Sequence, residues 1–142
     1  MQKINMGKVV LGGIAAGIVL NIIDYLVNGV WLAAQWAEAG KKLNTGVDAM
    51  GGSAIAAYVV GDFLFAILIV WLYAAIRSRF GAGKGTAVKA ALFVWVLGAI
   101  IAGQFVILGV YPGQLVATSS IGTLVGMIAG AYVGGMIYTE NA

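Results

Sequence analysis

The chain has 142 residues, 62% of them hydrophobic and only 9% charged. A soluble domain carries about 25% charged residues, so a chain with a mean hydropathy of +1.01 lacks the polar surface to face water on all sides and reads as an integral membrane protein. Cysteine and histidine are both absent, which excludes disulfides, thiolate metal sites, histidine-ligated haem or zinc, and cysteine or histidine catalysis. No catalytic residue and no metal ligand set is assigned, the chain is not expected to be an enzyme, and its residues name no cofactor. The net charge of +3 sits beside apolar runs, where it reports topology; no nucleic-acid partner is expected.

Four apolar runs approach or exceed the roughly 18–20 residues that cross a bilayer core. The first expected span covers 9–32. Lys3 and Lys8 precede it like the positive start of a signal peptide, but the run is longer than a signal segment, so a retained span is expected. The 33–53 stretch is polar and glycine-bounded, and Trp36 with Leu43 suggests that part of it lies at the membrane surface. The second span covers 54–76 and the third 87–110, joined by "RSRFGAGKGT". The fourth covers 115–138, after a tight "YPGQ" turn in which Pro112 suits the second position. These make one membrane domain, an all-α antiparallel bundle of four transmembrane helices.

Lysine and arginine bias sets the orientation. Lys3, Lys8, Arg77, Arg79, Lys84 and Lys89 flank one side of the spans. Lys41 and Lys42 lie on the other, beside Glu38 and Asp48. Both termini are therefore expected in the cytoplasm and 33–53 outside. Trp31, Trp36, Tyr58 and Tyr111 then fall at the outer interface, and Trp71, Tyr73, Phe80 and Tyr138 at the inner one.

The polar residues inside the spans share one depth. Asp24 in the first, Asp62 in the second, Gln104 in the third, and Ser119, Ser120 and Thr123 in the fourth all lie roughly 6–13 Å below the outer surface, at about 1.5 Å per residue. Asn21, Asp24 and Asn28 fall within about 60° of one another on an α-helix, with Gly13 and Gly17 on nearly the same side. In the fourth span Gly122, Gly126, Gly130 and Gly134 recur every fourth residue, the small-xxx-small pattern of close helix contact, with Ser119 and Thr123 on that side. The polar layer is therefore expected inside the bundle.

An aspartate at the centre of a membrane helix costs about 2.5–3.5 kcal/mol on insertion scales. No basic side chain shares the depth of Asp24 and Asp62. Their carboxyls are protonated, held by amide and hydroxyl donors, or neutralised by a cation. The layer is open to three readings: a hydrogen-bonded network that fixes helix register, a cation or proton site, or a ligand or pigment pocket. The glycine ladder serves either a contact within the chain or a partner helix, identical or foreign. "RSRFGAGKGT" is not a phosphate loop, because Ser78 stands where the first glycine belongs and Gly85 follows Lys84. It is a short cytoplasmic turn in which Arg77, Arg79 and Lys84 reach anionic headgroups. Trp95 lies deeper than the interface aromatics, where packing or a ligand contact would use it.

The stretches "NIIDYLVNGVWLAAQW", "WLYAAIRSRFGAGKGTAVKAALFVWVLGA", "YPGQL" and "AGAYVGGMIYTE" resemble those of small four-span bacterial membrane proteins of unknown function. The matching features are Asn21, Asp24 and Asn28 in the first span and the R-x-R-F-G turn of Arg77, Arg79, Phe80 and Gly81. The resemblance implies the same architecture in a bacterial cytoplasmic (inner) membrane and no activity. The expected role is an accessory or structural subunit that packs, with lipid around it, in a larger or self-assembled membrane complex. The alternative is an oligomeric cation- or proton-conducting protein using Asp24 and Asp62.

Overall fold

A computed structural model describes residues 3–44 and 51–140, and all regular structure among them is helical. Four helices are long and apolar enough to cross a membrane: Met6–Trp31, Gly52–Phe80, Lys84–Ile107 and Gly113–Ile137. They support an integral membrane location. Asp48 lies outside the described residues.

The first of these helices is α1 (Met6–Asp24), continued by a π-helical segment at Tyr25–Trp31. Asn5 caps its start, Oδ1 accepting the Lys8 amide at 3.1 Å and so satisfying one of the orphan donors of the first turn. The segment 33–43, expected as part of a loop, is helix α2 (Ala33–Leu43). Its alanines favour helix, Lys42 pairs with Glu38 one turn earlier at 2.9 Å, and Asn44 ends it with a left-handed φ of 46°, a common helix stop. α2 rests its buried Ala39 on Leu32 and Leu115, and Trp36 meets Tyr111 edge-on at 5.4 Å.

Helix α3 (Gly52–Phe80) has 29 residues, about 44 Å of helix, more than the roughly 30 Å hydrocarbon core requires. Gly81 terminates it with φ 82°, its amide donating to the Arg77 carbonyl at 2.8 Å. Helix α4 spans Lys84–Ile107 and α5 Gly113–Ile137. Between them the chain takes a positive φ of 71° at Gly109, ahead of the expected "YPGQ" turn. Pro112 stands directly before α5, where its missing N–H costs no hydrogen bond.

Helix α1 packs on α3 and α5, and α4 packs on those same two helices. The α1 seams use different residues at a four-residue spacing. Gly13 and Gly17 lie against Ile67 and Phe63 of α3, while Gly12, Ala16 and Leu20 lie against Gly134, Gly130 and Gly126 of α5. At two crossings backbone meets backbone: a Cβ on Gly130 would stand 2.8 Å from the Ala16 carbonyl oxygen, and one on Gly12 2.8 Å from that of Gly134. Only glycine permits that approach, and close backbone packing is what holds helices together where lipid removes the hydrophobic drive. Val9, Ala16, Leu20, Ile69 and Val70 fill the centre. Ala87, Ala90 and Ala91 bring α4 close, and the Trp95 indole donates to the Ser120 carbonyl at 2.8 Å, so Trp95 ties α4 to α5.

Candidate functional site

Asn21 closes the α1–α3 seam: its side-chain amide donates to the carbonyls of Gly17 at 2.9 Å and Val59 at 3.4 Å. Beyond it a cavity of about 870 Å³ opens between the π segment, α2, the first turns of α3 and the start of α5. Asp24, Asn28, Ser119, Thr123 and Asp62 contribute the polar lining, joined by Asn21, and among the described residues no lysine or arginine lines it.

One network forms the polar wall. Thr123 Oγ1 donates to Asp24 Oδ1 at 2.7 Å, and Asn28 Nδ2 donates to the same oxygen at 3.0 Å. Asn28 Oδ1 in turn accepts Ser119 Oγ at 2.7 Å and Trp36 Nε1 at 3.0 Å. Ser119 and Thr123, four residues apart, fall on one face of α5. The amide of Asn28 thus joins three elements, receiving from α2 and α5 and passing to Asp24. Asp24 Oδ2 and both oxygens of Asp62 accept no hydrogen bond from the described residues.

The π segment brings this about. On an unbroken α-helix, at about 100° per residue, Asn28 would stand about 80° round from Leu20, which packs on Gly126 of α5. A turn closed by i→i+5 bonds holds more residues and carries Asn28 back toward that side. The Leu32 amide donates to Val27 at 2.8 Å, an i→i+5 bond, so Leu32 becomes buried while Trp31 stays 66% exposed.

The remaining sequence-derived residues fall elsewhere. Gln104 is exposed on α4 and does not line the cavity. Gly13 and Gly17 face α3; Gly126, Gly130 and Gly134 face α1, and Gly122 lies against Val27 of the π segment. At the far end of the molecule Arg79 and Lys84 are exposed. Arg77 instead pairs with Glu140 at 3.3 Å, its guanidinium 5.7 Å from the Tyr73 ring centroid and 5.3 Å from that of Tyr138. The two rings meet edge-on. Tyr138 Oη accepts the Asn5 amide and Tyr73 Oη the Gly83 amide, so this cluster ties the ends of the chain to the α3–α4 turn.

Sequence reasoning treated Trp36, Tyr58 and Tyr111 as interface anchors and did not single out Tyr25; all four line the cavity. Tyr25 lies over Gly29, where a Cβ would stand 2.7 Å from the ring. The available signal was their coincidence in depth with Asp24 and Asp62. Compared with known protein families, curated proteins and solved structures, the chain matches none.

Proposed function

We propose that the protein is a membrane-embedded binding protein whose cavity holds an organic cation. The observation that carries this reading is the cavity itself: about 870 Å³, with Asp24 and Asp62 as its charged residues among those described and four aromatic side chains around them. That volume is in the range of small-molecule sites, about 300–1,000 Å³. Acidic groups with no basic partner favour a positive ligand, and aromatic faces attract one further.

The geometry shifts weight from the accessory-subunit reading, since the glycine ladder that suggested a partner helix lies against α1. Binding is favoured over conduction by what lies past Asn21. There the seams are glycine against Ile67, Phe63 and backbone, the central residues are apolar, and Thr86 near the far end is the one buried polar residue among those described. A second reading, self-association, draws on Gly98 and Gly103 of α4, beside which a Cβ would meet only open space.

The spans alternate in direction in this proposal, supported by residue pairs whose numbers rise in α1 as they fall in α3 and α5. Both termini face the cytoplasm in this proposal, supported by the lysine and arginine bias. The test is equilibrium binding of tetraphenylphosphonium to the protein in nanodiscs. Saturable binding that Asp24→Asn and Asp62→Asn each weaken at least about tenfold (1.4 kcal/mol) is expected. Absence of saturable binding by the wild type, or binding indifferent to both changes, refutes the proposal.

A further inference from the structure

The cavity has a direction, and this inference rests on the cation-binding reading above. Its far wall is the Asp24–Asn28–Ser119–Thr123 network, with Asp62 across from α3. Its roof is α2, held down by the Trp36–Asn28 bond and by the Trp36–Tyr111 contact. The charged residues of α2, Glu38, Lys41 and Lys42, are exposed, and its Ala39 is buried. The helix therefore lies between the cavity and the water, apolar side down.

The sides are different. One lip consists of Ile22 and Tyr25, 56% and 60% exposed; the other consists of Ile55 and Tyr58, 40% and 56% exposed. All four belong to helices of membrane-spanning length and all four line the cavity. Apolar, exposed lips on two spans make an opening that faces acyl chains. Asn21 and the tight α1–α3 seam form its lower edge.

A site with an acidic, aromatic interior, a roof toward water and an apolar side window fits a ligand of matching polarity. We infer that the ligand is an ammonium-headed amphiphile that enters sideways from the bilayer, its head seated between Asp24 and Asp62 and its alkyl chain left in lipid between α1 and α3. Aromatic rings with carboxylates form the recurrent recognition chemistry for alkylated ammonium groups. Leaving the chain in lipid means the cavity has to enclose only the head and the first few methylenes. Lateral access also raises the local ligand concentration, because a single alkyl chain already partitions into the bilayer.

The experiment compares dodecyltrimethylammonium with tetramethylammonium, which carries the same head without the chain, on the protein in nanodiscs, reading quenching and shift of tryptophan emission with the Asp24→Asn/Asp62→Asn double variant as the partition blank. Dodecyltrimethylammonium is expected to bind at least about 100-fold more tightly on total concentration. Ile55→Phe, which adds bulk to a lip without adding an indole and leaves the polar wall intact, is expected to weaken dodecyltrimethylammonium binding at least about ten times more than it weakens tetramethylammonium binding. Equal affinities for the two probes, or a lip change that weakens both alike, would overturn lateral entry and leave a water-borne cation in the site. If neither probe binds above the blank, and tetraphenylphosphonium also fails, the cation reading itself falls.

Discussion

Replacing Gly130 by alanine tests whether backbone contact between α1 and α5 holds the molecule together. The added Cβ would stand 2.8 Å from the Ala16 carbonyl oxygen, 3.4 Å from its carbonyl carbon and 3.6 Å from its Cα. None of these atoms ends a flexible side chain, so relief requires α1 and α5 to move apart by some tenths of an ångström along a tight seam. Overpacking of this kind costs typically 1–3 kcal/mol, offset by up to about 1 kcal/mol because alanine favours helix over glycine. Gly103→Ala is the matched control, since a Cβ there meets nothing within 4 Å and the propensity gain is the same. The difference between the two variants therefore isolates the contact, at about 1–3 kcal/mol, a factor of roughly 5–150 in the folding equilibrium. Reversible unfolding in mixed detergent micelles, followed by circular dichroism, measures it. Equal stabilities for Gly130→Ala and Gly103→Ala would refute the seam as a source of stability.

The polar wall makes weaker demands. Thr123→Val removes the donor to Asp24 and is expected to cost about 0.6 kcal/mol and at most about 1.7 kcal/mol, the range measured for hydrogen bonds between membrane helices; a larger loss in the same unfolding assay would mean the network carries the fold. Trp36→Phe keeps the edge contact with Tyr111 but deletes the bond to Asn28, so protease cleavage within α2 is expected to speed up several-fold while the spans stay protected. Arg77→Lys keeps the charge near Glu140 and loses the planar group over Tyr73 and Tyr138. Thermal melting of that variant is expected to show about 0.5–2 kcal/mol of destabilisation, and an unchanged midpoint would reduce the cluster to a surface ion pair.

What the sequence disclosed follows from what the bilayer enforces. Four apolar runs had to become helices because lipid offers no partner to an open backbone, and their ends fell within a few residues of the observed ones. The glycine ladder was visible as a packing face but silent on its partner, since close approach requires small residues whichever helix arrives. Depth put Asp24, Asp62, Ser119 and Thr123 in one layer, and these four line the cavity. Gln104, expected in the same layer, stands exposed on α4 and does not line the cavity, since depth says nothing of rotation. Helix α2 was hidden by its low hydropathy, although alanines and an i,i+4 Glu38–Lys42 pair are ordinary helix determinants.

The π segment is the feature no α-helical periodicity discloses, and the site depends on it. The buried face of α1 runs through Val9, Ala16 and Leu20; continued at 3.6 residues per turn it reaches Trp31, which is exposed, whereas Leu32 is buried. One residue has been absorbed between them. Wound as α-helix with its residues unchanged, the segment would press Trp31 on the α5 side and carry Leu32 from its place against α2, so the roof would lose its anchor. Asn28 would point away from Ser119, and Asp24 would keep Thr123 alone. A one-residue deletion keeps Leu32 on the buried face, eleven positions after Leu20, while Asn28, which precedes the deletion, stays turned from Ser119. Deleting one residue within the segment, Val30 being exposed and outside the network, is therefore expected to regularise the helix without loss of span stability and to abolish cation binding. Retained binding after that deletion would show that the cavity does not need the π turn.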